Sequence, residues 1–253
     1  MSASHQRLLE PGWILHRRPY RDSSLLLELW TETHGRVGAV ARGARGGRSR
    51  NRALLQPFVP LRLSMSGRGE LMTLTGAEAD GHALVLAGDA LLAGFYVNEL
   101  IVRLLVRDDP APALWVPYRE VLEALAGGQV AVPLRRFELA LLEALGYGLN
   151  LEHDIVDGAV LEPQGRYEYV LEAGPRRIEG DAASGGITVD GSTLIGLREG
   201  RFADRAALHA ARRLLGASLD LYLGGRPLRS REVLHAMRRF AGPGTNTREG
   251  GER

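Results

Sequence analysis

The chain has 253 residues, 45% of them hydrophobic, enough to bury a core in one large domain or two ordinary ones. It contains no cysteine, which excludes disulfides, thiolate metal sites and cysteine nucleophiles. The net charge of +2 conceals an asymmetry: residues 1–70 hold 12 arginines against five acids, a balance of +7, so the remainder carries −5.

A basic module on a mildly acidic body is the pattern expected when one part of a protein meets a polyanion. All 32 basic residues are arginine. Chemistry that needs lysine (a Schiff base, a phosphate-loop Lys, a Ser–Lys dyad) is therefore excluded. The opening residues MSASHQRLLEPGW lack the apolar core expected of a signal peptide. No run approaches ~18 consecutive apolar residues, so no membrane span is expected. The absence of disulfides suits a reducing cytoplasm.

Residues 12–80 read as short strands with turn punctuation. Gly12 to Arg18 is the first and Ser23 to Thr33 the second, with Leu25, Leu27 and Leu29 alternating against Leu26 and Glu28. His34-Gly35-Arg36 is a tight turn and Val37 to Ala41 the third strand. Phe58 to Leu63 is a fourth strand, weakened by Pro60. Glu70 to Thr75 is a fifth. Five short strands in this length suit a small closed barrel, which hides its edges, or a small open sheet. The stretch RVGAVARGARGGRSRNR takes in the third strand and runs out from it into a loop, with Arg36, Arg42, Arg45, Arg48, Arg50 and Arg52 and no acid. Gly43, Gly46 and Gly47 disfavour a helix there. A buried strand would not hold so much unpaired charge. The loop beyond Ala41 is either merely solvated or phosphate-binding, since guanidinium forks match phosphate oxygens.

From residue 77 the period becomes helical. Asp89 to Val106 carries a row of Leu92, Tyr96, Leu100 and Leu104. Leu114 to Ala126 is a second helix, and Pro133 to Leu145 a third with core row Leu134, Phe137, Leu141 and Leu145. Residues 150–190 lose this period. Arg166 to Leu171 and Gly186 to Val189 look like strands of a small β insert. Asp204 to Leu221 is a long helix with Asp204 as N-cap. Ser230 to Phe240 is the last helix, and 242–253 reads as a disordered tail. The expected domains are 1–80, 81–241 with the insert at about 150–190, and the tail.

Catalytic motifs are missing. The seven histidines are scattered, with no HExxH or HxH pair. Glu152-His153-Asp154 is the only dense group of possible metal ligands, and neighbours on a loop rarely converge on one ion. Neither the GxGxxG fingerprint nor the GxSxG elbow is present. No metal, cofactor or catalytic residue is expected, and the chain reads as a non-enzyme.

Two binding features remain. The first is the arginine loop with Arg17, Arg18 and Arg21 at the end of the first strand. Its possible stacking aromatics are few: Trp13, Tyr20, Trp30 and Phe58, each more often a core residue. Rich charge with few aromatics predicts backbone binding without sequence reading, on single and double strands alike. The second is Arg135, Leu139 and Leu142 at i, i+4 and i+7 on the third helix. That stripe could seat an acidic–hydrophobic peptide and grip its carboxylate. Alternatively it is a helix buried on two sides, with Arg135 in an ion pair.

The segments HRRPYRDSSLLLELWTETHGRVGAVARGAR, LLQPFVPL, GRGELMTL, FYVNEL, LRRFELALLEALGYGLNL and YLGGRPLRSREVL, in this order over about residues 10–240, resemble the RecO family of bacterial recombination mediators. The resemblance implies an α+β chain: a five-stranded OB-fold barrel followed by a mainly α-helical domain. It implies DNA repair through binding of single- and double-stranded DNA (ssDNA and dsDNA) and annealing of complementary strands. It also implies loading of RecA, together with RecR, on DNA coated by single-stranded DNA-binding protein (SSB). The location it implies is the cytoplasm, at the nucleoid. In the family the acidic, Phe-ended SSB tail docks on the helical domain through an Arg and a Leu that match Arg135 and Leu139. Some members carry a four-Cys zinc site after GYGLNL; this chain has His153 and no Cys there, so no zinc is expected. A protein-interaction adaptor with only incidental DNA contact is the alternative.

Overall fold

The computed structural model describes residues 5–46, 53–67, 69–179 and 185–233. Five strands come first: β1 (His5–Tyr20), β2 (Ser24–Thr31), β3 (Gly35–Ala41), β4 (Leu61–Gly67) and β5 (Leu71–Ala79). They close into a barrel in the order β1-β2-β3-β5-β4. Only the β3–β5 pairing is parallel; the others are antiparallel. This is the OB-fold arrangement. Closure leaves no free edge to template association.

Alternation along each strand serves two cores at once. In β2, Leu25, Leu27 and Leu29 point into the barrel with Ile14, Val37, Leu61 and Leu63. The intervening Trp30 points outward into the core of the helical region, as do Trp13 and Leu15 of β1. One strand thus reads apolar on both faces where a helix covers it, and polar where water does.

The strand boundaries differ from the sequence reading in instructive ways. β1 begins at His5, well before Gly12, because it pairs with β4 as well as β2 and bends through register shifts at Arg7/Glu10 and Ile14/His16. Bulges of this kind let one long strand turn a barrel corner. β4 begins only after Pro60, which cannot donate to the ladder. β5 continues to Ala79, four residues beyond Thr75.

The helical region contains α1 (Gly88–Leu104), α2 (Pro112–Ala126), α3 (Ala131–Ala144), α4 (Gly191–Glu199) and α5 (Arg205–Tyr222). A further helical segment begins at residue 229 and its described part ends at 233. The rest of the expected Ser230–Phe240 helix, and the 242–253 tail, lie outside the described residues. Asp204 caps α5, its side chain accepting from the Ala207 amide at 2.8 Å. Between α3 and α4 lies a three-stranded sheet, β6 (Arg166–Val170), β7 (Gly174–Arg177) and β8 (Ile187–Asp190), in the order β7-β6-β8. β7 and α4 escaped the sequence reading. β7 is four residues long and holds two arginines and a proline, and α4 is punctuated by Gly191 and Gly196, so neither carries a clear period.

Barrel and helices share one apolar core. Trp13 meets Tyr118 edge-on at 5.8 Å, Trp30 lies 6.5 Å from Trp115, and Phe58 meets Phe95 at 5.2 Å. Inside this apolar seam, the Asn98 amide donates to the Leu15 carbonyl at 3.0 Å, and the Tyr118 hydroxyl donates to Asn98 Oδ1 at 2.8 Å.

Gly35 lies where the β2–β3 turn meets the α1–α2 link. Its φ is +66°, and a Cβ there would stand 2.2 Å from the Asp109 carbonyl oxygen. Gly35→Ala is therefore expected to lose about 2 kcal/mol or more of stability. A fall in the urea midpoint at unchanged slope is the measurement that checks it.

Candidate nucleic-acid interface and partner site

Five arginines of the barrel and its turns gather at one rim. Arg17 and Arg18 lie near the end of β1, the turn after it carries Arg21, and β3 runs out into Arg42 and Arg45. The last turn is tied back to the rim. The Arg45 amide donates to the Ser23 carbonyl at 2.9 Å and its guanidinium to the Arg21 carbonyl at 3.1 Å. An open groove of about 450 Å³ runs between the two segments, lined by Arg17, Arg18, Pro19, Leu25, Ala44, Arg45 and Gln56. Arg17 is half-buried and donates to the Leu55 carbonyl at 3.1 Å. Arg18, Arg21, Arg42 and Arg45 are exposed. Arg48, Arg50 and Arg52 lie outside the described residues.

Of the four candidate stacking aromatics, three are buried in the seam between barrel and helices: Trp13, Trp30 and Phe58. Tyr20 alone stays half-exposed, with the Arg21 guanidinium 5.2 Å from its ring centroid. This is a cation–π distance.

Arg36 is not at the rim. Its side chain is only 15% exposed and faces Glu28 at 3.9 Å, and it donates to the Val102 carbonyl at the end of α1. Arg107 of the α1–α2 link pairs with the same Glu28. Burial lowers the Arg36 pKa from its ordinary value; Glu28 works against that and Arg107 adds to it. Three charges that look like surface residues in sequence thus form one clamp between barrel and helices.

The second candidate site lies on α3. Arg135 is buried and its guanidinium pairs with Glu138 at 2.7 Å. Leu142 is fully buried and Leu139 half-buried. The buried-helix alternative describes this arrangement: the stripe packs into the helical core. Glu138 Oε1 also accepts from the Tyr96 hydroxyl at 2.7 Å. Arg231 lies over the Tyr96 ring at 5.6 Å and pairs with Asp220 at 2.7 Å. The Arg135–Glu138 pair was legible as an i, i+3 spacing. Tyr96 and Arg231 were not, because nothing local brings α1 and the last segment to α3.

Glu99, three residues after Tyr96, receives the Arg229 and Ser230 amides at 2.9 Å each and the Ser230 hydroxyl at 2.7 Å. Burial raises its pKa, but the hydrogen bonds from Ser230 and Arg229 outweigh that and hold the carboxyl below its ordinary range. It caps the helical segment that carries Arg231. In the Glu152-His153-Asp154 group, Asp154 is buried and accepts from the Val156 and Arg177 amides at 2.7 and 2.6 Å. Among the described residues no group of three or more His, Asp or Glu side chains is arranged to hold a metal ion, and no helix is long and apolar enough to cross a membrane.

Comparison with known proteins covers nearly the whole chain. The family model for the Recombination protein O N terminal region matches residues 6–81, and that for its C terminal region matches residues 86–232. The chain is 48% identical over 230 residues to the DNA repair protein RecO of Methylococcus capsulatus, covering 90% of this chain and 93% of the relative. It is 48% identical over 233 residues to that of Alkalilimnicola ehrlichii, covering 92% of both. It is 42% identical over 231 residues to that of an Azoarcus species, covering 90% and 95%. With an OB barrel fused to a helical region and both halves matched in order, the chain belongs to the RecO family and has a role in DNA repair and recombination.

Proposed function

We propose that the chain is a non-enzymatic mediator that binds ssDNA and dsDNA by their backbones, anneals complementary strands and, with RecR, helps to load RecA on SSB-coated single strands. The observation that supports this most directly is the arginine rim. Arg17, Arg18 and Arg45 line one open groove, Arg21 and Arg42 are exposed on the adjoining turns, and among the described residues no aromatic side chain lines the groove. Guanidinium groups without an aromatic platform grip phosphate and leave base sequence unread. Neutralising the phosphates of two strands lowers their repulsion, so pairing proceeds without ATP. Arg48, Arg50 and Arg52 are proposed DNA contacts too, on the charge of the sequence. Arg36 contributes by clamping the barrel to the end of α1.

The SSB tail is the proposed second ligand, docking at Arg135, Leu139 and Leu142 and bringing the chain to coated DNA in the cytoplasm, at the nucleoid. A RecA-loading assay separates the two sites. Alanine at the exposed rim arginines is expected to slow annealing on bare DNA, whereas Arg135→Glu is expected to leave it intact and to abolish loading only on SSB-coated strands. Loading that survives the rim variant and fails only in Arg135→Glu would instead make the chain a protein-interaction adaptor.

A further inference from the structure

The ion pair on α3 is sealed but not saturated. The side chains of Arg135 and Glu138 are 7% and 2% exposed. Arg135 Nη2 and Glu138 Oε1 hold each other, yet Arg135 Nε and Glu138 Oε2 are buried with no hydrogen-bond partner among the described residues. A guanidinium is a planar fork that matches a carboxylate with two parallel bonds. Here the internal carboxylate engages Nη2 through one oxygen, and Nε finds no partner among the described residues.

We infer that Glu138 is a resident competitor in the peptide site: it occupies the guanidinium that an incoming peptide carboxylate needs, so an acidic peptide binds by displacing it, and Glu138 sets the affinity. This rests on the assignment of Arg135 to an acidic tail proposed above. Two ionised carboxylates cannot share one buried guanidinium, because the excess negative charge would be left in a medium that solvates it poorly. Glu138 must therefore become neutral when it is displaced.

Its surroundings favour that. Burial raises the Glu138 pKa and outweighs the lowering by Arg135, the Tyr96 hydroxyl, Arg231 and Arg212, which face it from α3, α1, the last helical segment and α5. Withdrawing Arg135 removes the largest of the lowering contributions. Displacement then takes up a proton, and the Tyr96 hydroxyl stays behind as the carboxyl's partner. The freed Arg135 side chain can swing outward beside the half-buried Leu139. The sign follows: neutral Glu138 releases Arg135, so peptide affinity falls as pH rises through the Glu138 pKa.

The test uses the full chain and a labelled acidic peptide ending in a free phenylalanine carboxylate. Binding is followed by fluorescence anisotropy between about pH 6 and about pH 8.5, where the peptide's own carboxylates stay ionised. Wild-type affinity is expected to weaken as pH rises. Glu138→Gln is expected to bind about tenfold tighter at the upper end and to lose that dependence. Arg135→Glu is expected not to bind in either background. If Glu138→Gln binds equally or more weakly while Arg135→Glu abolishes binding, Glu138 merely supports Arg135; the inference is overturned and the site stands. If Arg135→Glu binds like the wild type, the site falls and the inference with it. Calorimetry of the wild type in two buffers of different ionisation enthalpy gives a readout independent of any variant. Proton uptake on binding supports the displacement, and zero uptake overturns it.

Discussion

Replacing Arg18, Arg21, Arg42 and Arg45 together by alanine is expected to weaken ssDNA binding by about a hundredfold at moderate salt and to flatten its salt dependence by up to about three log–log units. Each phosphate neutralised on a single strand contributes about 0.7 to that slope through counterion release. All four side chains are exposed, and none belongs to either hydrophobic core, so the fold should tolerate their loss. Arg17 is left in place because its guanidinium supports the Leu55 carbonyl. Titration of a labelled oligonucleotide at several salt concentrations checks the result. An unchanged slope would remove the rim from the DNA-binding surface. Binding should remain indifferent to base sequence, because among the described residues of the barrel Tyr20 is the one aromatic side chain that is not buried.

Asn98→Leu is expected to cost about 3 kcal/mol of stability, through two buried groups rather than one. The Leu15 carbonyl loses its donor and the Tyr118 hydroxyl its acceptor, and both residues are buried in the seam. For a chain of this size the thermal midpoint should fall by about 8 °C. Tryptophan fluorescence is a direct reporter, because Trp13, Trp30 and Trp115, all three tryptophans of the chain, lie at this junction. A midpoint within a degree or so of the wild type would mean that Asn98 does not hold the seam together. The prediction also explains the FYVNEL segment. Phe95 packs on Phe58, Tyr96 meets Glu138, Asn98 joins the barrel, and Glu99 caps the last helical segment. A single stretch of α1 therefore bonds to the barrel, α3 and the last helical segment.

The sequence alone determined the five strands, the five-stranded module, the helices with strong apolar rows and the Asp204 cap. Each of these is fixed by a local period or a local hydrogen bond, which neighbouring residues suffice to reveal. The concentration of arginine between the third and fourth strands was equally plain. What the linear order could not decide was which face of each strand met water and which met a helix. Trp13, Trp30 and Phe58 read more readily as core than as stacking residues, and the packing of α1 and α2 against the barrel makes them core. Arg36 and Arg45 read alike in one basic run. Tertiary structure separates them: strand β3 aims Arg36 at Glu28 and the end of α1, while the turn beyond it leaves Arg45 at the rim. Arg135 shows the same limit more sharply. Its spacing to Leu139 and Leu142 describes a stripe, but whether a stripe is open depends on the neighbouring helices. The distance between Tyr96, Glu138 and Arg231 is set by packing between segments far apart in the chain, and no local pattern encodes it.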